Sequence, residues 1–289
     1  MKKLIFILLI VFMAACKNTT EPREAAMEQP PTISVEDFFK NSEKRSFQIS
    51  PDGSHLSYLA PVNNRMNIHV KAIDSDSVTK VTNVADRDIA GYFWANNDRL
   101  VYIKDEGGNE NFHLFSASKD GKNEVDLTPF DGVRAQIIDD LKNNEQEMII
   151  GLNKRIPQVF DPFRINITTG EMELLYENPG NITGWGTDHD GKLRIAYVTN
   201  GVDNTVLYRK SEADDFSEVI TTDFKQTLAP QFFDFDNGDI VYALSNLGRD
   251  KLAVVKYDLK EKKEIEEIYI TMRSMLIILT ILKKGKFRQ

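Results

Sequence analysis

The residues that could do chemistry are four histidines, several carboxylate-rich loops, the serines and one cysteine. His55, His69, His113 and His189 are spread along the chain. His69 and His113 fall at corresponding places in two similar stretches, which points to repeat structure. A metal site needs convergent ligands, and the sequence offers no tight His/Cys/Asp cluster; no metal or other cofactor is assigned. Asp188-His189-Asp190-Gly191 and Asp234-Phe235-Asp236-Asn237-Gly238-Asp239 are superficially like calcium loops. Neither completes the acidic spacing or supplies the closing glutamate, so both read as turns. Asp105-Glu106-Gly107-Gly108-Asn109-Glu110 joins two apolar strands, where carboxylates could meet a cationic peptide amine. Glu110 is the candidate peptide-binding residue, set against the simpler reading of a solvated acidic loop. No serine has a base at a useful spacing and no G-x-S-x-G is present, so no catalytic residue is assigned.

Cys16 cannot form a disulfide within the chain, because it has no partner cysteine. Its setting gives it another use. Met1-Lys2-Lys3 precedes an apolar run from Leu4 to Ala15, and Ala14 and Ala15 stand directly before the thiol. A basic start, an apolar stretch of this length and a small-residue break make a secretory signal. The break is similar to a bacterial lipobox, with Met13 where leucine is usual. Residues 1–15 are therefore expected to be a signal peptide and Cys16 the lipidated residue. The alternatives are a plain signal peptide or a short anchor, and the run is shorter than the roughly 20 residues of a spanning helix. Residues 16–31, with Pro22, Pro30 and Pro31, read as a flexible tether. The expected location is the bacterial cell envelope, periplasm or outer membrane, with the membrane as partner through the N-terminal lipid. The net charge is -8, from 36 basic and 44 acidic residues, with no basic stripe; nucleic acid is not an expected partner.

The elements that must position these residues repeat. Turns recur at Ser50-Pro51-Asp52-Gly53, Asn96-Asn97-Asp98, Asn143-Asn144, Asp188-His189-Asp190-Gly191 and Asp236-Asn237-Gly238, at intervals of 45, 46, 47 and 47 residues. An alternating apolar strand follows each turn, such as Leu100-Val101-Tyr102-Ile103 or Ile240-Val241-Tyr242-Ala243-Leu244. Period-2 alternation buries one strand face, and Asn, Asp and Gly suit tight hairpins. Four short strands per unit of this length form one antiparallel blade, and blades must stack because none buries both faces alone. The predicted fold is all-β: a β-propeller of five recognisable four-stranded blades over residues 32–270, starting near 47, 90, 135, 182 and 228, in an incomplete ring. Trp94 and Trp185 share a phase within their blades and are expected between blades. The tail, 271–289, is atypical: Met275 to Leu282 is apolar and unpatterned, and Lys283 to Gln289 is basic. It is compatible with out-of-frame sequence or with a capped final strand.

Phe47-Gln48-Ile49-Ser50-Pro51-Asp52-Gly53 resembles the SPDG blade motif of two groups, the TolB-like propellers and the prolyl oligopeptidase family of serine peptidases. The lead-in Ile33-Ser34-Val35-Glu36-Asp37-Phe38-Phe39, Phe93-Trp94-Ala95-Asn96-Asn97-Asp98 and Gly107-Gly108-Asn109-Glu110-Asn111-Phe112 are similar to the peptidases, best to their lipoprotein forms. The resemblance implies a propeller that caps and filters substrate for an α/β-hydrolase domain, which these residues do not include. The expected function is thus the non-catalytic, substrate-gating portion of such a peptidase, truncated and inactive alone, with a peptide or protein partner. The alternative is a self-standing TolB-like scaffold.

Overall fold

A computed structural model describes residues 32–270. The expected signal sequence (1–15), Cys16 and the rest of the expected tether (to 31), and the 271–289 tail lie outside the described residues. The lead-in forms a short helix, α1 (Val35–Phe39). Ser34 caps it by accepting the Asp37 amide at 3.0 Å, one of the donors that a helix start leaves free.

From Asn41 the chain makes five four-stranded antiparallel sheets, each with its strands in sequence order. The first holds β1 (Arg45–Ile49), β2 (His55–Val62), β3 (Arg65–Ala72) and β4 (Val78–Lys80). The second holds β5 (Gly91–Trp94), β6 (Arg99–Lys104), β7 (His113–Ser118) and β8 (Val125–Asp126). β9 (Ala135–Asp139), β10 (Glu147–Ile156), β11 (Val159–Asn166) and β12 (Met172–Leu174) form the third. The fourth comprises β13 (Ile182–Thr187), β14 (Leu193–Thr199), β15 (Asn204–Tyr208) and β16 (Ser217–Thr222). The fifth comprises β17 (Leu228–Phe233), β18 (Ile240–Ser245), β19 (Ala253–Asp258) and β20 (Lys263–Ile270). The expected β-propeller is what forms.

Alternation in the strands places a core between neighbouring blades. Leu59, Ile68 and Val70 of blade one pack with Leu100, Tyr102 and Phe115 of blade two. The other face of blade two, with Val101 and Leu114, meets Met148, Ile150 and Ile165 of blade three. Blades four and five share Ile195, Val206, Val241 and Val255. Polar stitches fix each junction. Ser57, wholly buried, accepts the Trp94 indole N–H at 2.8 Å and the Tyr92 hydroxyl at 3.1 Å. The Ser116 hydroxyl donates to the Ile167 carbonyl at 2.5 Å. Arg164 reaches from blade three to the Gly191 carbonyl and Glu212 of blade four. Arg194 reaches from blade four to the Gly238 carbonyl of blade five.

Among the described residues no hydrogen bond, ion pair or ring contact joins blade five to blade one. Phe47 and Ile49 on β1 are 54% and 63% exposed.

A second polar device closes the opposite strand ends. The side chain of buried Asn67 accepts the Val84 amide at 2.7 Å, and buried Asp161 accepts the Asn178 amide at 2.8 Å, each 17 residues on. Asp161 also holds Arg155 through two bonds, at 2.9 and 3.0 Å. Replacing Ser57 by alanine strips the half-buried Trp94 indole N–H of its acceptor and leaves the Tyr92 hydroxyl with the Ser46 carbonyl, at 2.6 Å. The expected loss is about 1–3 kcal/mol, read as a lower urea midpoint at unchanged slope.

Candidate functional site

In a meander the first hairpin lies at one end of the blade and the second hairpin at the other. At the first-hairpin end, the innermost strands β9, β13 and β17 and the turns after them line a cavity of about 1480 Å³. Two glycines shape its floor. A side chain at Gly186 would come within 3.1 Å of the Ile195 Cβ, and one at Gly184 within 3.3 Å of the Tyr197 ring. Between them Trp185 packs beside Tyr176 and Phe216, with centroids 5.8 and 6.1 Å away. Trp94, at the same phase in blade two, contacts blade one. Both tryptophans thus sit between blades as their spacing suggests.

The rim is held by bonds that cross blades. The Thr187 hydroxyl donates to Asp139 of blade three. His189 donates from Nε2 to the Phe233 carbonyl at 2.7 Å, and its ring lies flat on Phe235 with centroids 3.9 Å apart. The Tyr197 hydroxyl donates to the Pro230 carbonyl at 2.9 Å, and burial pushes its pKa up to about 12. Asp188 is used locally: it accepts the Asp190 and Lys192 amides and pairs with Arg194 at 2.7 Å. Asp234 likewise accepts the Asp236 and Asn237 amides and pairs with Lys256 at 3.2 Å. Both loops are Asx turns whose carboxylates serve their own backbone. Among the described residues no three metal-ligating side chains converge.

Three lining carboxylates are different. Among the described residues Asp140, Glu145 and Asp190 have no ion-pair or side-chain hydrogen-bond partner. Lys142 is the one lysine or arginine in the lining, and Phe235 offers a ring that is 55% exposed.

Glu110 lies elsewhere, on the second hairpin of blade two at the opposite end. Its backbone is left-handed (φ 59°), and its amide donates to Asp105 at 3.1 Å. Asp105 is buried and also takes Arg87 Nε at 3.2 Å. Burial alone would raise its pKa, but the Glu110 amide and Arg87 outweigh that and hold it below the usual carboxylate value. Asp105 therefore shapes the loop while the Glu110 side chain faces solvent.

The histidines need one correction. Val81 donates to the Ile68 carbonyl and Leu127 to the Leu114 carbonyl, so Ile68 and Leu114 are the equivalent positions. His69 then matches Phe115, and His113 matches Asn67. The ring pairs agree: His69 stacks on Tyr58 at 9° and Phe115 on Tyr102 at 15°. The extra residues of the 105–112 loop shift the apparent alignment by two. The lining aromatics Phe232 and Phe235 and the glycines of β13 were not singled out in the sequence; the Gly184-Trp185-Gly186 triplet in a strand was the available signal.

No family model matches the chain. Dipeptidyl aminopeptidase BIII of Pseudoxanthomonas mexicana is 30% identical over 241 residues, 80% of this chain and 34% of that protein. Porphyromonas gingivalis dipeptidyl peptidase 4 has the same fold over 78% of this chain and 39% of its own, with a TM-score of 0.55 at 14% identity. Prolyl oligopeptidase B of Galerina marginata gives 0.52 at 14% identity, over 80% of this chain and 38% of its own. This is a prolyl oligopeptidase-family propeller. It spans about a third of the length of the curated relatives it matches. The five blades correspond to the propeller portion of those peptidases.

The buried Tyr197 holds its proton more tightly when folded than at its ordinary value of 10.0. Its contribution to stability is therefore complete below pH 10 and lost as pH rises through about 12. Burial also raises Tyr92, Tyr102, Tyr208 and Tyr257, so ultraviolet titration of the native protein should show a group of late-ionising tyrosines that loses one member, the one titrating near 12, in Tyr197→Phe.

Proposed function

We propose that this propeller is the substrate-gating portion of a bacterial serine peptidase, lipid-anchored at the cell envelope, that works with a hydrolase domain supplying the nucleophile. The observation that carries this reading is the 30% identity, across four-fifths of the chain, to a dipeptidyl aminopeptidase. The cavity on the innermost strands supports it. A concave site with aromatic walls and polar turns at its rim is where an extended peptide would lodge. The chain itself carries no G-x-S-x-G elbow, so peptide-bond attack falls to the partner domain. The cavity lined by strands of three sheets supports the gating role, in which an extended segment is admitted and a folded domain is excluded. Glu110, on a loop ordered by Asp105 at the opposite end, is proposed to meet a cationic peptide amine as substrate leaves the propeller.

Two outcomes are expected. Calorimetric titration with peptides of a few residues should show saturable binding, folded proteins should show none, and the chain alone should release no chromophore from dipeptidyl substrates. Binding of folded proteins, or turnover by the chain alone, contradicts the reading. Replacing Cys16 by serine should move the protein from the membrane fraction to the soluble fraction, because one thiol carries the whole anchor.

A further inference from the structure

Asn-Gly occurs twice in the sequence, at Asn200-Gly201 and Asn237-Gly238. A glycine after asparagine leaves the backbone nitrogen unshielded and the chain free to bend, so that this nitrogen can close on the side-chain carboxamide. We infer that Asn237 is a site of spontaneous deamidation, and that the isoaspartate formed there loosens the junction of blades four and five. The step needs only water. The Gly238 nitrogen gives its proton to solvent base and attacks Cγ of Asn237. The N–Cγ bond forms as the Cγ–Nδ2 bond breaks, and the nitrogen leaves as ammonia after taking a proton from water. Water then opens the cyclic imide at either carbonyl. One product is aspartate, and the other is isoaspartate, which carries an extra carbon in the main chain.

Both asparagines are exposed turn residues, so exposure does not separate them; hydrogen bonding does. Asn200 lies on the second hairpin of blade four. There the Gly201 amide donates to Thr199 Oγ1 at 3.1 Å, and Asn200 Nδ2 donates to Asp203 Oδ2 at 3.1 Å. The attacking nitrogen and the leaving group are both tied down. Asn237 lies on the first hairpin of blade five, and neither group is tied. Among the described residues the Gly238 amide and Asn237 Nδ2 have no hydrogen-bond partner. The Asp239 amide donates to Asn237 Oδ1 at 3.0 Å, which draws electron density from Cγ. The Asn200 oxygen is polarised too, by the Val202 and Asp203 amides, so the free nitrogen decides. The Ile240 amide donates to the Asn237 carbonyl at 3.1 Å, which eases proton loss from the peptide nitrogen bonded to that carbonyl. The approach to Gly238 is open: a Cβ there would meet nothing nearer than Arg194 Nη1, at 3.9 Å.

Gly238 is also where blade four holds blade five. Its carbonyl accepts Arg194 Nη2 at 3.2 Å. Arg194 is buried and fixed: it pairs with Asp188 at 2.7 Å, and the Tyr208 and Phe233 rings each lie 5.3 Å from its guanidinium carbon. The next residue, Asp239, accepts the Tyr208 hydroxyl at 2.6 Å. An extra main-chain carbon at position 237 shifts both acceptors against donors that cannot follow, and a buried donor left without its acceptor is costly. Phe235, two residues before the modified position, lines the cavity, so the loosening reaches its rim.

The test incubates the full chain in mildly alkaline buffer, once folded and once in urea, and follows both asparagines by peptide mapping with isoaspartate detection. In the folded protein position 237 should convert several-fold faster than position 200. In urea the two should convert at similar rates, because the bonds that protect Asn200 are gone. Thr199→Ala, which frees the Gly201 amide, should speed conversion at 200 and leave 237 unchanged. The isoaspartate form should unfold at a lower urea midpoint than the parent. Asn237→Asp adds the charge without lengthening the main chain and should unfold near the parent. Folded protein that converts at 200 as fast as at 237, or that converts at 237 only in urea, overturns the site. No change at 200 in Thr199→Ala overturns the reason given for the difference. An isoaspartate form as stable as the parent overturns the effect on the junction.

Discussion

A four-stranded blade has two apolar faces and cannot shield both from water. Everything else in this protein answers that constraint. Burying a single Leu, Val or Phe side chain contributes about 1.5–3 kcal/mol, and the junctions of blades one with two, two with three and four with five each hold a cluster of buried apolar residues. That drive is non-directional, so it explains stacking without fixing how far one blade slides along the next. The register comes from the polar stitches. Ser57 with Trp94, Ser116 with Ile167, and the buried arginines 164 and 194 each allow one offset between neighbours.

The site is a by-product of the same stacking. Innermost strands are the narrowest part of the stack, where large side chains would collide. On β13 glycine stands on both sides of Trp185, and the space this leaves is taken by Ile195 and Tyr197 of the neighbouring β14, which line the cavity. The turns that cap these strands fall together at one end, so loops about 47 residues apart in sequence line one rim. Repetition thereby puts Asp140 and Glu145 of blade three and Asp190 of blade four in the lining of one cavity. The opposite end, with the long second hairpin of blade two and Glu110, is built differently. There buried Asn67, Asp105 and Asp161 accept loop amides and set the loop shapes.

Much of this was legible in the residues. The alternation of strands such as Leu100-Val101-Tyr102-Ile103 and the Asn, Asp and Gly turns carry strong local signals, because each reports a single strand face or a single hairpin. Trp94 and Trp185 could be placed between blades for the same reason. The cavity was not legible, because it depends on which turns of different blades end up adjacent. The buried arginines were also hidden: in a strand pattern Arg99 and Arg194 read as solvent-facing, yet each has its guanidinium bonded within the fold. The misjudged match of His69 with His113 has a local cause. The 105–112 loop is longer than its counterpart at Asn63-Asn64, and only the backbone ladder reveals the offset.

The central claim is that consecutive blades stack face to face in the register that the cross-blade bonds define. Asp139 and Thr187 lie on neighbouring blades, 48 residues apart, with their side chains in contact. The direct measurement is oxidation of the Asp139→Cys, Thr187→Cys double variant, in a Cys16→Ser background, followed by peptide mapping. A single 139–187 disulfide formed rapidly, with the melting temperature held or raised, is the result this arrangement predicts. Thiols that stay free in the folded protein, or that crosslink only between molecules, would contradict it.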